Sequence, residues 1–257
     1  MVLEITKVCK NFGGLSALTD VTFSINEGEI FGLIGPNGAG KTTMFNLITS
    51  MFTPTSGQIT FKDEDITTMK SHHITEKGIC RTFQNIRLFP EMSALENVMV
   101  GQHSRTRSGV LKSVFRTVSQ KKEEAKIKDI AEELLDFVGL STFSDLTSDN
   151  LAYGQQRRLE IARALASEPK VLLLDEPAAG MNETETSDLF DLIKKIQQKG
   201  ITVLIIEHDM PLVMKLCDRI AVLNFGKKIA EGTPLEIQNH PEVIEAYLGK
   251  EEEDQYA

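Results

Sequence analysis

Cysteine is scarce in this chain and long apolar runs are missing. Cys9, Cys80 and Cys217 are scattered along 257 residues. An odd, unclustered set of thiols does not build a disulfide framework, so a reducing cytoplasm is the expected compartment. No apolar stretch approaches the ~20 residues that a helix needs to cross a bilayer, and no cationic region leads into an apolar signal core. If this protein serves a membrane, it is expected to do so through a partner. Positive charge is also short: Lys plus Arg number 28 against 37 Asp plus Glu, a net charge of −9. That balance argues against non-specific nucleic-acid binding as the main task. Part of the acid lies in Glu251-Glu252-Glu253-Asp254, expected to be a solvated end. No internal repeat or low-complexity linker divides the chain. What remains is ordinary for a globular protein, 41% hydrophobic and 25% charged, and the length suits one large α/β domain or a domain with a subdomain.

Periodicity orders the chain. Val21-Thr22-Phe23-Ser24-Ile25 alternates apolar and polar residues, the pattern of a half-exposed antiparallel strand. Val171-Leu172-Leu173-Leu174 and Ile201-Thr202-Val203-Leu204-Ile205-Ile206 are continuously apolar, as strands covered on both faces are. Together they predict a doubly wound α/β core with a mostly parallel sheet and an N-terminal antiparallel sheet. From about Asn85 to Ser167 the pattern turns helical. Ser93-Ala94-Leu95-Glu96 reads as a capping box opening one helix. Ala131 to Val138 reads as a second helix, stopped at Gly139. Thr233-Pro234-Leu235-Glu236 combines a capping box with proline at the first helical position. The expected division is a core in two parts, 1–84 and 168–257, with a helical subdomain at 85–167 inserted between them.

The densest chemistry lies at Gly35-Pro36-Asn37-Gly38-Ala39-Gly40-Lys41-Thr42, which fits G-x-x-x-x-G-K-[ST] at every fixed position. A strand-like Glu29-Ile30-Phe31-Gly32-Leu33-Ile34 precedes it, and Thr43-Met44-Phe45-Asn46-Leu47-Ile48 follows with helical spacing. Strand, glycine loop and helix N-terminus make an anion site, because loop N–H groups point inward and the helix dipole adds about half a positive charge. Lys41 is expected on the β- and γ-phosphates of ATP, and Thr42 on Mg²⁺. A second motif, Val171-Leu172-Leu173-Leu174-Asp175-Glu176-Pro177, places two carboxylates at the C-terminal edge of a buried strand, where ligands bind in such folds. Asp175 is expected in the Mg²⁺ shell and Glu176 beside the attacking water. The competing reading is a solvated acidic pair at a strand end.

The third motif is Leu151-Ala152-Tyr153-Gly154-Gln155-Gln156-Arg157-Arg158-Leu159-Glu160-Ile161-Ala162-Arg163-Ala164-Leu165. Here the chain resembles the ATP-binding cassette (ABC) ATPase family, whose signature L-S-G-G-Q precedes a helix, and the resemblance runs over nearly the whole length. It implies a role for Gln84 of Arg81-Thr82-Phe83-Gln84-Asn85 as the Q-loop glutamine, a Mg²⁺ ligand beside Thr42 and Asp175. It implies a switch histidine at His208, an adenine-stacking ring at Phe12, and nucleotide contacts along the loop through Thr43. It also implies that Ala152, Gly154 and Gln155 contact the γ-phosphate of an ATP held by a second cassette, so that ATP joins two cassettes and hydrolysis releases them. The chain departs from the pattern where Ala152 replaces the signature serine, Tyr153 replaces its first glycine, and Asn182 replaces the usual aspartate after Pro177-Ala178-Ala179-Gly180-Met181.

Within that family the chain is similar to the larger of two ATP-binding subunits of bacterial branched-chain amino-acid importers. The stretches that carry this are the signature helix, Pro177 to Asn182, and the ending Val243-Ile244-Glu245-Ala246-Tyr247-Leu248-Gly249. The resemblance implies membrane permease subunits docking around Asn85 to Pro90, a second ABC ATPase subunit, an extracytoplasmic amino-acid-binding protein acting indirectly, and a place on the cytoplasmic face of the bacterial inner membrane. The alternatives are a soluble ABC ATPase of an assembly machine, such as iron–sulfur cluster assembly, and an ATP-gated DNA-repair or translation factor. The latter would want a second cassette, a coiled coil or a basic face. Residues 103–122 are locally basic with apolar residues at helical spacing. They read as a solvated helix packing on the subdomain, or as a contact with permease or anionic headgroups. His72-His73 reads as surface, since no third metal ligand is spaced for it.

Overall fold

The structure is a computed structural model that describes residues 1–102 and 118–253, with side chains described for 1–102 and 123–247. The basic segment 103–122 and the acidic end 251–254 therefore lie outside the described side chains.

The continuously apolar runs become the middle of a six-stranded sheet. Strands β3 (Ile30–Ile34), β7 (Val171–Asp175) and β8 (Thr202–Ile206) are buried at every residue. With β6 (Ile79–Arg81), β9 (Arg219–Asn224) and β10 (Lys227–Gly232), they lie in the order β10-β9-β3-β8-β7-β6. All neighbours run parallel except the edge pair β9–β10. The alternating N-terminal segments form a second, antiparallel sheet in the order β2-β1-β4-β5, from β1 (Leu3–Phe12), β2 (Leu15–Ile25), β4 (Ser56–Phe61) and β5 (Glu64–Asp65). The strand expected at Val21 to Ile25 is thus the second half of a longer one.

Side chains alternate across a strand, so each central strand feeds two cores. Phe31, Leu33, Leu173, Leu204 and Ile206 pack with helix α1 (Lys41–Ile48) and the antiparallel sheet. Ile30, Ile34, Leu172, Leu174, Val203 and Ile205 pack on the opposite face with α3 (Ala94–Gly101), α4 (Val118–Phe137), α5 (Tyr153–Leu165), α6 (Glu183–Gln198) and α7 (Met210–Leu216). The expected capping box at Ser93 closes with both bonds: Glu96 N–H to Ser93 Oγ at 3.1 Å and Ser93 N–H to Glu96 Oε2 at 2.8 Å. Helix α4 begins well before the expected Ala131 and stops where expected, at Gly139 with φ 75°. Gly101 is glycine because α3 meets α5 there: a Cβ would lie 2.2 Å from the Arg163 carbonyl. Helix α2 (Ser71–Lys77) carries His72 and His73 on the surface, with His73 on Glu76 at 3.0 Å. Among the described residues no His, Cys, Asp and Glu group could hold a metal by itself. Thr233 caps α8 (Pro234–Gln238) as expected, and α9 (Pro241–Glu253) follows.

Candidate nucleotide site

The glycine loop closes between β3 and α1. Gly35 has φ 147°, and a Cβ there would lie 2.0 Å from the Leu223 carbonyl of β9, so no side chain fits. Gly40 has φ 102° at the N-cap of α1, where a Cβ would lie 2.9 Å from the Ala17 carbonyl of β2. Gly38, φ 77°, has open space, and it and Asn37 form the exposed rim. Ala39 N–H donates to Pro36 at 3.1 Å, and Gly226 N–H, in the β9–β10 turn, donates to Ala39 at 3.1 Å. No side chain caps Gly40, so the N-terminus of α1 is presented at the loop, where a helix end favours an anion. Lys41 is buried, and its Nζ donates to the loop carbonyls of Gly35 at 2.6 Å and Pro36 at 3.0 Å. Phe12 ends β1 on the hairpin whose second strand braces Gly40. Its half-exposed ring meets Phe52 edge-on at 5.2 Å, with Lys10 Nζ 4.9 Å away.

The two expected carboxylates stand at the end of β7. Asp175 is buried, and its Oδ2 accepts from Arg81 Nη2 at 2.7 Å. Arg81, at the end of β6, also donates to Asn46 Oδ1 of α1 at 2.6 Å and lies between the rings of Phe45 and Phe83. Glu176 adopts φ 46°, with its N–H on Ile206 at 2.9 Å. A left-handed glutamate costs about 1–2 kcal/mol, and such conformations cluster at functional sites. Gln84 Nε2 donates to Glu176 Oε2 at 2.8 Å, so the Q-loop glutamine and the second carboxylate are brought together. His208 is not drawn in with them: its side chain is 62% exposed, with Nδ1 3.9 Å from Glu207 Oε2.

Several buried charged side chains among the described residues had no role read from the sequence. Arg81 is one. Glu207, 2% exposed, accepts from Ala178 N–H at 3.0 Å and His208 N–H at 3.3 Å, fixing the loops after β7 and β8 to each other. Burial pushes its carboxyl above the usual range, partly opposed by the Ala178 N–H. Two more are Arg157 and Glu160 on α5, paired at 2.8 Å, with burial raising the Glu160 carboxyl against the pull of Arg157. Their one sequence signal was an (i, i+3) ion pair on an otherwise apolar helix face.

The signature residues lie elsewhere. Helix α5 packs on the sheet face opposite α1. Ala152 is its N-cap, and Ala152 N–H donates to Gln155 Oε1 at 2.9 Å, half of a capping box. Gly154 lies against Glu185 of α6, where a Cβ would come within 2.9 Å of Oε1. The half-exposed Tyr153 ring packs on Gly180, and a Cβ at Gly180 would lie 3.3 Å from the ring. Asn182 is the N-cap of α6: its Oδ1 accepts from Glu185 N–H at 2.9 Å, while Glu185 Oε2 accepts from Asn182 N–H at 3.1 Å.

A helix N-terminus that no side chain caps behind a glycine loop, with carboxylates at the end of a neighbouring strand of the same sheet, is the phosphate-binding arrangement of a P-loop nucleoside triphosphatase. The ABC transporter family model matches residues 18–179, and that of the branched-chain amino acid ATP-binding cassette transporter matches 227–253. The high-affinity branched-chain amino acid transport ATP-binding protein BraF of Pseudomonas aeruginosa is 46% identical over 250 residues, covering 97% of this chain and 98% of its own. The ADP conformation of an ABC transporter cassette superposes with TM-score 0.84 at 35% identity, covering 96% of this chain and 98% of that one. A dimeric post-hydrolysis cassette bound to ADP and Pi gives TM-score 0.76 at 28% identity, covering 90% and 98%. The chain belongs to the ABC transporter family, as an ATP-binding cassette.

Proposed function

We propose that this cassette hydrolyses ATP to drive an importer of branched-chain or related amino acids. The observation that carries the hydrolytic reading is the 2.8 Å bond from Gln84 to a strained Glu176 next to Asp175. The cargo reading is supported by the BraF relative and by the C-terminal segment 227–253. These relatives give no support to an assembly ATPase that works without a permease.

The β- and γ-phosphates are bound by loop N–H groups between Gly35 and Gly40, by the first turn of α1 through Thr43, and by Lys41, which leaves the loop carbonyls to reach them. Phe12 stacks on the adenine. The hydroxyl of Thr42, the amide oxygen of Gln84 and the carboxylate of Asp175 are the hard oxygen donors that suit Mg²⁺. The pocket already accommodates a cation, since the Arg81 guanidinium sits on Asp175. Held by these residues, Mg²⁺ would supply positive charge against that developing on the phosphates. Glu176, oriented by Gln84, accepts a proton from the attacking water, and His208 turns inward to hold the γ-phosphate. The N-terminus of α5, at Ala152, Gly154 and Gln155, serves the nucleotide of a second cassette, homologous or identical.

Functionally the chain divides into the core at 1–84 and 168–257 and the helical subdomain at 85–167. Between them runs a groove of about 500 Å³ lined in part by Met51, His72, Arg81, Phe83, Phe89 and Arg163. Membrane permease subunits dock in that groove beside Asn85 to Pro90. That places the cassette on the cytoplasmic face of the inner membrane, with an extracytoplasmic amino-acid-binding protein delivering cargo from the other side. Among the described residues, no helix is long and apolar enough to cross a membrane. The test is Glu176→Gln in the assembled complex. ATP binding persists and hydrolysis falls ~10²–10⁴-fold, the usual worth of a positioned general base; undiminished turnover refutes the assignment.

A further inference from the structure

We propose that Arg157, clamped by Glu160, is a positioning residue of the hydrolytic site. From the signature helix it sets the Phe83–Gln84 backbone and so holds the Gln84 amide on Glu176. This rests on the hydrolytic reading of Gln84 and Glu176 above.

Arg157 and Glu160 have 0% and 1% of their side chains exposed. A buried ion pair alone is often no more stabilising than an apolar pair of equal volume. This pair has a further task, because both groups also bond to one irregular segment. Arg157 Nη1 donates to the Phe83 carbonyl at 2.6 Å and Nη2 to the Gln84 carbonyl at 2.8 Å. Glu160 Oε1 accepts from the N–H groups of Phe83 at 3.4 Å and Arg87 at 3.3 Å. The segment lies outside any helix or strand ladder, so the pair supplies partners that ladder bonds would otherwise provide. The side chain that this backbone carries, Gln84, is the one bonded to Glu176.

The same helix face leads to the signature. Tyr153, Arg157 and Glu160 stand at i, i+4 and i+7 and share one face of α5. Arg157 Nη2 is 3.4 Å from the Tyr153 hydroxyl, and the Tyr153 ring lies on Gly180, in the loop that follows Glu176. The tyrosine that stands in place of a signature glycine is therefore joined to both segments flanking the hydrolytic carboxylate. A rigid helix whose N-terminus serves the partner's nucleotide thus also sets this chain's own water-activating group. Tilting α5 shifts Gln84 relative to Glu176, and the two ATP sites of a dimer are coupled through one helix.

The test is a double-mutant cycle on kcat and KM for ATP, with the full chain in its assembled complex: the parent, Arg157→Lys, Gln84→Ala and both together. Arg157→Lys lowers kcat about tenfold, the equivalent of about 1.4 kcal/mol, and leaves KM and the affinity for a fluorescent ATP analogue unchanged. In the Gln84→Ala background the same substitution changes kcat by less than about twofold, because the group it positions is gone. Multiplying effects, or a raised KM at constant kcat, overturn the proposal. Glu160→Gln is the second probe should Arg157→Lys not fold; its amide would face the guanidinium with a donor, and the same pattern is expected. Failure of the hydrolytic reading is distinguishable, since it shows as undiminished turnover in Glu176→Gln.

Discussion

Replacing Arg81 with methionine tests the electrostatics around Asp175. Their side chains are 7% and 5% exposed and 2.7 Å apart. Methionine fills much of the space beside Phe45 and Phe83 and removes the guanidinium paired with Asp175. Breaking a buried pair by removing one partner costs about 3–5 kcal/mol, because an uncompensated charge stays buried. Against a total stability of roughly 5–15 kcal/mol, that is a large share. Urea denaturation of the Mg²⁺-free chain reads the loss directly. Adding Asp175→Asn to Arg81→Met recovers much of it, since no charge is then left unpaired. Mg²⁺ with a non-hydrolysable ATP analogue stabilises Arg81→Met more than the parent, because the metal supplies the missing cation and binding to the folded state adds to stability. An Arg81→Met chain within about 1 kcal/mol of the parent, the scale of an exposed pair, refutes the reasoning.

Lys41→Ala lowers affinity for a fluorescent ATP analogue about 10–150-fold, the worth of a hydrogen bond to a charged group at 1.5–3 kcal/mol; unchanged affinity places Lys41 in the transition state alone. Ala152→Ser completes the capping box of α5 and raises stability to urea by ~1 kcal/mol, while its O–H tightens the ATP-bound dimer by ~0.5–1.5 kcal/mol. Equal or lower stability refutes the first part, and an effect on monomer affinity with unchanged dimerisation refutes the second. Of the three cysteines, Cys9 is partly exposed while Cys80 and Cys217 are buried, and burial pushes the Cys217 thiol up to about 12 from 9.0. A disulfide reagent at mildly alkaline pH therefore labels Cys9 first, and equal labelling of Cys217 refutes its burial. Above pH 9 and up to about 12 the unfolded chain ionises the Cys217 thiol while the folded chain does not, so its contribution to stability falls as pH rises through that window.

Much of the architecture was legible because its determinants are local. Continuous apolar runs marked β7 and β8, and Ser93 and Thr233 marked helix starts with their own capping chemistry. The loop from Gly35 to Thr42 was legible because its glycines and lysine act within one turn of chain. The buried charges were not. Arg81, Arg157, Glu160 and Glu207 look like solvated residues in the sequence, and each is buried because its partners come from distant segments. His208 carried a motif, yet its ring stands in solvent beside Glu207 and apart from Gln84 and Glu176. Asn182, in place of the usual aspartate, keeps its hydrogen-bonding capacity, and the structure uses it to begin a helix.

The floor of the phosphate loop is the Leu223 carbonyl, and its rim is held by Gly226. Strand β3, which leads into the loop, has its two sheet neighbours in β8 and β9, both far downstream. Residues 35–42 therefore rest on a support that the chain supplies at 223–226, from a segment distant in sequence. Whatever loosens the turn between β9 and β10 also loosens the loop that lies on it.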